Sequence, residues 1–256
     1  MKLHFREMGQ GMPLLILHGL FGSSDNWLTI AKQLAEKYHV FLIDQRNHGQ
    51  SPHDETWNYT VMAQDIEDFC VQQNLNKINI AGHSMGGKTV MKLAELFPQR
   101  ISKMMVIDIA PKYYPIHHQP ILSALNSINF EVVNTRKQAE EVLQTAIDDV
   151  GTRQFLLKNI YWISEGKLAW RFNLDVITKN IEIVGEATPQ VESNVCAIDT
   201  LFVKGEKSDY IKLNDAELIA KIYPISKIVS IANAGHWVHA ENPLALLETM
   251  LNFFTD

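Results

Sequence analysis

The sequence has little cysteine, no long run of basic residues and no long hydrophobic segment. Its 2 cysteines show no Cys-x-x-Cys or paired Cys/His spacing, which excludes a disulfide framework and a structural zinc site. With 23 basic against 29 acidic residues and a net charge of −6, a nucleic-acid partner is disfavoured. The apolar run Leu14–Leu17 is far shorter than the ~20 residues of a membrane span, and the first residues show no signal-peptide pattern. We therefore expect no membrane span and a location in the reducing cytoplasm.

The composition is that of a folded globular protein. Hydrophobic residues make up 46% and charged residues 20%, with 13 glycines and 9 prolines, which excludes a disordered chain, a collagen-like repeat and a coiled coil. A length of 256 residues predicts one large domain with a small insertion rather than two full-sized domains.

Short apolar runs alternate with helical patterns along most of the chain. The runs are apolar on successive residues, which is typical of strands buried on both faces of a parallel sheet. Each helical pattern carries one apolar stripe at spacings of three and four residues. The alternation predicts an α/β fold with a mostly parallel central sheet and helices on both faces. The predicted strands cover residues 13–17, 39–43, 77–81, 103–108, 200–204 and 228–232.

The alternation stops after the fourth predicted strand, where three helical patterns occur without a convincing buried strand. The clearest of them opens with a capping box at Thr135 and Gln138. We therefore expect a core domain of residues 1–111 and 196–256, with a cap of three helices at 112–195 inserted before the last two strands. Aromatic residues between these helices either fix the insertion to the main domain or line a substrate pocket. They are Tyr161, Trp162, Trp170 and Phe172.

A Gly-x-Ser-x-Gly motif at residues 82–86 follows the third predicted strand and leads directly into a helical pattern. This strand-turn-helix arrangement is typical of a nucleophile elbow. So tight a turn strains the central serine and requires small neighbours on both sides. The motif predicts Ser84 as a nucleophile exposed at the carboxyl edge of the sheet. The backbone N–H of Met85, at the start of the helix, can stabilise a developing oxyanion in the same space.

The same residues also match the phosphate-loop pattern Gly-x-x-x-x-Gly-Lys-Ser/Thr, from Gly82 to Thr89 with Lys88 as its lysine. The context fits in part, because a following apolar strand ends in Asp108 and could carry a magnesium ligand. However, two predicted strands precede the motif, whereas a phosphate-binding strand usually comes early in its domain. Two further motifs that a nucleotide site does not need favour the elbow.

These two motifs lie at strand ends and belong to acyl transfer. The segment 18–22, His-Gly-Leu-Phe-Gly, follows the first predicted strand, and its turn would let the backbone N–H of Leu20, or otherwise of Phe21, supply a second oxyanion donor. We interpret its histidine as holding the turn rather than transferring protons. A Gly-His-Trp sequence after the last strand offers His236 as the general base for Ser84.

Two aspartates could orient this histidine. Asp108 and Asp209 both follow predicted strands, and both give the chain order Ser, Asp, His. Only one helix and one strand separate Asp209 from His236, so the spacing alone slightly favours Asp209. The residues by themselves leave both candidates open.

The assembled motifs resemble the YbfF-type esterases of the α/β-hydrolase superfamily over essentially the whole chain. They are HGLFGS at 18–23, DQRNHGQS at 44–51, GHSMGGK at 82–88, IDIAP at 107–111 and GHWVHAE at 235–241. The resemblance implies an α/β-hydrolase fold, a three-helix cap, and hydrolysis of carboxylic esters and acyl-CoA thioesters. It also implies Asp108 as the triad acid, which we adopt. An acid at Asp209 departs from the family pattern, where a neutral residue is expected.

We therefore predict a serine hydrolase in which Ser84, His236 and Asp108 form the triad and the N–H groups of Leu20 and Met85 hold the oxyanion. The expected substrate is a small acyl ester or thioester, and this chemistry requires no metal and no organic cofactor. The predicted pocket is lined by Phe21, Trp162, Trp170 and Trp237.

Three alternatives remain. A carbon-carbon bond hydrolase or lyase would use the same triad. A phosphate-loop protein would bind a nucleotide through Lys88. A non-catalytic receptor on the same fold would bind small esters without turnover.

Overall fold

The computed structural model describes residues 1–188 and 196–255, and a seven-stranded sheet forms its centre. The strands are β1 (Phe5–Met8), β2 (Met12–Leu17), β3 (Tyr38–Ile43), β4 (Ile78–His83), β5 (Ile101–Ile107), β6 (Ile160–Ser164), β7 (Lys167–Trp170), β8 (Asp199–Gly205) and β9 (Ser226–Ile231). The order in the central sheet is β1-β3-β2-β4-β5-β8-β9, while β6 and β7 form a separate hairpin. All neighbours in the central sheet are parallel except β1 and β3. The predicted fold class is confirmed.

Helices cover both faces of this sheet. They are α1 (Leu28–Leu34), α2 (Tyr59–Gln72), α3 (Met85–Leu96), α4 (Gln119–Asn126), α5 (Arg136–Gln144), α6 (Val150–Leu157), α7 (Leu174–Lys179), α8 (Asp215–Ile222), α9 (Val238–Glu241) and α10 (Pro243–Thr255). Helices α1 and α10 pack on one face, and α2, α3 and α8 on the other. Within residues 1–188 and 196–255, no helix combines the length and the apolar character that crossing a membrane requires.

Successive strand residues point to opposite faces, which explains the continuous apolar runs. In β2, Leu14 and Ile16 pack with α1 and α10, whereas Leu15 and Leu17 pack with α2 and α3. All four side chains are buried because each face of the strand has a helical layer over it. The edge strand β1 escaped the sequence prediction because its four residues form no apolar run and none of them is fully buried.

The segment between β5 and β8 differs from the predicted three-helix cap. Among its described residues it contains four helices, α4 to α7, and the antiparallel hairpin of β6 and β7. The pattern missed α4 because no side chain caps its first turn, and it missed the hairpin because most of β6 is exposed. The capping box at Thr135 and Gln138 does open α5. Residues 189–195 of the predicted insertion lie outside the described residues.

The two connections of this segment to the core meet at one buried lysine. Nζ of Lys88 in α3 donates hydrogen bonds to the carbonyl oxygens of Lys112, at 2.6 Å, and Glu186, at 2.7 Å. The connections also pair with each other, since the N–H of Tyr114 donates to the carbonyl of Gly185 at 2.8 Å. Burial lowers the pKa of Lys88 to about 7. Lys88 therefore fixes both ends of the segment to the core.

We expect Lys88→Met to lower the free energy of unfolding by about 2 kcal/mol, because two buried carbonyl groups lose their donor. The exposed Lys32 of α1 is the matched control, and its replacement by methionine should change the unfolding free energy by less than about 0.5 kcal/mol. Urea unfolding followed by circular dichroism measures both variants. Equal stability of the two variants would show that the lysine does not fix the connections.

Candidate active site

Ser84 lies at a sharp turn between β4 and α3. Its backbone has φ 53° and ψ −115°, a left-handed conformation that is strained for a residue with a Cβ atom. The flanking glycines are required because other backbone atoms lie too close for a side chain at either position. A Cβ on Gly82 would lie 2.3 Å from the carbonyl oxygen of Gly86, and a Cβ on Gly86 would lie 2.5 Å from that of Leu17. The turn therefore has the geometry expected of a nucleophile elbow and exposes Ser84 to a cavity.

Three predicted residues form one chain of hydrogen bonds. Nδ1 of His236 lies 2.7 Å from Oδ2 of Asp108, and Nε2 of the same ring lies 3.0 Å from Oγ of Ser84. An ionised carboxylate only accepts hydrogen bonds, so Nδ1 carries the ring proton and donates a hydrogen bond to Asp108. Nε2 is then free to accept the hydroxyl proton of Ser84. This is the arrangement that activates a serine.

Asp108 is fully buried, and its carboxylate is fixed by further donors. Oδ1 accepts from the backbone N–H of Gly205 at 2.9 Å, and Oδ2 accepts from the hydroxyl of Ser208. Asp209, the alternative acid, is exposed on the same loop. The structure thus pairs His236 with Asp108, and Asp209 does not occupy that position. Ser208 was missed, because nothing in the sequence distinguishes it from an ordinary loop serine.

The loop that carries His236 is held from several sides. Glu241 accepts hydrogen bonds from the N–H groups of Gly235, at 2.7 Å, and Trp237, at 3.2 Å. Nε2 of His83 donates to the carbonyl oxygen of His236 at 2.8 Å. Burial lowers the pKa of His83 well below its usual value, so this ring stays neutral and has one fixed donor. These bonds position the imidazole without using the two nitrogen atoms that face Ser84 and Asp108.

Tyr210 adds a packing contact to the same imidazole. Its ring stacks on that of His236 with a centroid distance of 3.9 Å and an interplanar angle of 16°. Tyr210 follows the loop of Ser208, so the strand end that holds the carboxylate also covers one face of the histidine. Neither Tyr210 nor His83 was predicted as a site residue, because both act through contacts between segments distant in the sequence.

The predicted oxyanion turn lies beside Ser84. The N–H of Gly22 donates to the carbonyl of Gly19 at 2.9 Å and closes the turn, and both Leu20 and Phe21 line the same cavity as Ser84. Met85 is the first residue of α3, where backbone N–H groups have no acceptor within the helix.

His18 holds this turn from the core side. Its Nδ1 donates to the carbonyl of Gly19 at 2.8 Å, and its Nε2 accepts from the N–H of Gln45 at 3.0 Å. Burial lowers the pKa of His18, so the ring is neutral with both nitrogens engaged. This matches the interpretation of His18 as a residue that holds the turn.

A cavity of about 370 Å³ opens above Ser84, a size typical of small-molecule sites. Two of the four residues predicted for the pocket, Phe21 and Trp237, line it. The prediction is wrong for Trp162, whose side chain is 56% exposed on the hairpin, and for Trp170, which packs in the interior of the segment and stacks on Phe172. Aromatic composition could not separate these positions, because the hairpin that orients both tryptophans was not recognised.

Residues from the segment between β5 and β8 supply the outer wall of this cavity, and three of the seven, Ile121, Phe155 and Leu156, are apolar. The seven are His117, His118, Ile121, Asp149, Thr152, Phe155 and Leu156. Burial lowers the pKa of His118 to about 4, so this side chain is uncharged at neutral pH.

The position of Lys88 contradicts the phosphate-loop alternative. Lys88 is fully buried, and its Nζ is held by the two carbonyl groups described above. It therefore does not reach toward the space above Ser84, where a phosphate would have to lie. The Gly-Lys-Thr sequence is explained by packing and by the connections of the inserted segment.

The fold, the elbow and the hydrogen-bonded chain define a class of protein. Residues 12–157 match the family described as the alpha/beta hydrolase fold. The chain belongs to the α/β-hydrolase family, which confirms the resemblance predicted from its motifs.

The chain is similar to proteins named as esterases and lipases. The chain is 37% identical to Esterase YbfF of Escherichia coli over all of both chains. It is 34% identical to the sn-1-specific diacylglycerol lipase ABHD11 of Danio rerio over 97% of this chain and 80% of the relative. The solved structure of a marine microorganism esterase superposes with a TM-score of 0.95 and 44% identity, covering 98% of this chain and 99% of the other.

Proposed function

We propose that this α/β-hydrolase is a serine esterase that cleaves small carboxylic esters or acyl-CoA thioesters through an acyl-enzyme. The observation that supports this most directly is the chain of hydrogen bonds from Ser84 through His236 to Asp108, which opens onto the cavity. Similarity to an esterase and a lipase supports the same reaction class. The triad requires no metal or organic cofactor to supply its nucleophile.

In this proposal, Oγ of Ser84 attacks the carbonyl carbon of the substrate while Nε2 of His236 takes the hydroxyl proton. The N–H groups of Leu20 and Met85 stabilise the tetrahedral oxyanion. His236 then gives its proton to the departing alcohol or thiol, which leaves an acyl-serine. A water molecule then attacks the acyl carbon while His236 takes a proton from it. The bond between this carbon and Oγ breaks, the carboxylic acid leaves, and His236 returns the proton to Ser84. Asp108 keeps the imidazole in the required tautomer throughout.

Residues 112–195 act in this proposal as a cap over a core of residues 1–111 and 196–256. The support is that described residues of this segment form one wall of the cavity while the core supplies Ser84 and its partners. A cytoplasmic location is part of the proposal, and the two free cysteines, Cys70 and Cys196, are compatible with a reducing compartment.

A substrate panel tests the reaction class. We expect the purified protein to hydrolyse p-nitrophenyl esters or acyl-CoA thioesters and a fluorophosphonate probe to label Ser84. Turnover of a vinylogous diketone without turnover of any ester or thioester would favour a carbon-carbon bond hydrolase. Binding of esters without turnover and without labelling would favour a receptor.

We expect Phe155→Ala to shift the preference toward longer acyl or alcohol chains, because this ring walls the cavity and contacts Trp237 at a centroid distance of 5.1 Å. The ratio of kcat/KM for a long-chain ester to that for a short-chain ester should rise about 10-fold. Trp162→Ala is the matched control, because that ring is exposed on the hairpin and does not line the cavity. An equal chain-length profile in both variants would contradict the assignment of this wall.

A further inference from the structure

The segment between β5 and β8 makes a buried hydrogen bond to the oxyanion turn. Nδ2 of Asn159 donates to the carbonyl oxygen of Phe21 at 2.8 Å, and both residues are buried. Asn159 follows α6, whereas Phe21 follows β2, so the bond joins the wall of the cavity to the turn beside Ser84. No motif in the sequence singles out Asn159.

Phe21 is a residue that needs such a partner. Its φ is 57°, a left-handed conformation that costs a bulky residue free energy unless its surroundings impose it. The Gly19 end of the turn is already held from the core by His18. The carbonyl of Phe21 is held by Asn159. Fixing this carbonyl fixes the last peptide of the turn, directly after Leu20 and Phe21, which line the cavity.

Asn159 is itself rigidly placed. Its Nδ2 also lies 3.2 Å from the carbonyl of Leu156, at the end of α6, and its own carbonyl accepts from the N–H of Arg171 at 2.8 Å. The ring of Phe21 packs against Phe172 with a centroid distance of 5.1 Å. The segment therefore contacts the oxyanion turn through a polar bond and an aromatic pair.

We propose that Asn159 is a positioning residue that completes the oxyanion turn when the cap is docked on the core. This inference rests on the proposed esterase function. It predicts that loss of the Asn159 amide affects the transition state and not the binding of the ground state, because the oxyanion exists only during the reaction.

The test compares Asn159→Leu and Asn159→Ser with the wild type on a p-nitrophenyl ester. We expect kcat to fall about 10- to 100-fold, which is at most the decrease caused by removing one oxyanion donor. KM should change less than about two-fold. Inhibition by an aryl trifluoromethyl ketone, which forms an oxyanion on the serine, should weaken by a similar factor. The side chain of the serine variant is polar but too short to reach the carbonyl of Phe21. This variant provides the test if the leucine variant does not fold.

Asn180→Leu is the matched control. Nδ2 of Asn180 donates to the carbonyl of Val176 at 2.8 Å at the end of α7. The substitution therefore removes the same kind of bond at a helix end, at a residue that does not contact the oxyanion turn. We expect it to lower the melting temperature and to leave kcat unchanged. If the Asn159 variants lower only the melting temperature, with kcat within two-fold of the wild type, the inference is wrong while the esterase function stands. A wild type that hydrolyses no ester or thioester overturns both.

Discussion

Ser84→Ala is expected to reduce kcat for ester hydrolysis by at least about 10⁴-fold, because the variant lacks the oxygen that forms the acyl-enzyme. The hydroxyl is the one that lies 3.0 Å from Nε2 of His236. Weak residual turnover should persist, since the oxyanion donors and the cavity remain. Steady-state kinetics with a p-nitrophenyl ester measure the loss.

Two controls make this result specific. Ser123→Ala, at an exposed position of α4, should keep full activity. Ser84→Ala should still bind substrate, which calorimetry can detect, and should no longer react with a fluorophosphonate. A variant that retains more than a tenth of the wild-type kcat would exclude Ser84 as the nucleophile.

Asp108→Asn is expected to lower kcat about 10⁴-fold, because an amide no longer holds His236 in the tautomer whose Nε2 accepts a proton. In the wild type the carboxylate accepts three hydrogen bonds, from Gly205, Ser208 and His236. The amide has one acceptor oxygen and an NH₂ group that only donates, so it cannot satisfy all three donors.

Asp209→Asn is the matched comparison, one residue from Ser208 on the same loop. Its exposed side chain should tolerate the change, with kcat within about two-fold of the wild type. If Asp209→Asn abolished turnover and Asp108→Asn did not, the assignment of the acid would have to be reversed. Circular dichroism of both variants separates loss of catalysis from loss of folding.

The parts of the fold that follow from local physics could be predicted from the sequence. Strands covered on both faces leave continuous apolar runs, so all six parallel strands of the central sheet were recognised. The edge strand β1 is partly exposed and its four residues carry no such run. The hairpin of β6 and β7 lies outside the central sheet, and most of β6 is exposed although its first four residues are all apolar. The helix α4 lacks a capping side chain, which removed the signal for its start.

The residues of the candidate site likewise fall into those that a local motif predicts and those that depend on the tertiary structure. Ser84 and His236 lie in motifs whose glycines are dictated by local geometry, such as the close approach of Gly82 to Gly86. The choice of Asp108 over Asp209 depends on where two strand ends meet in space, and the spacing along the chain favoured the aspartate that does not bond to His236.

The residues that position the catalytic groups are even harder to predict from the sequence. Ser208, His83 and Asn159 each form a hydrogen bond to a partner 100 or more residues away. Each looks like an ordinary polar residue until the tertiary structure gives it a partner.

The side-by-side position of the two connections, where Tyr114 bonds to Gly185, has an evolutionary consequence. A segment whose ends are neighbours can be exchanged for one of different length without redirecting the strands beneath it. Substrate preference and reaction chemistry can therefore diversify as separate modules. Under the positioning role proposed for Asn159, a transplanted insertion would need an amide that reaches the carbonyl of Phe21, so chimeras of this scaffold should be chosen by that contact as well as by the shape of the pocket.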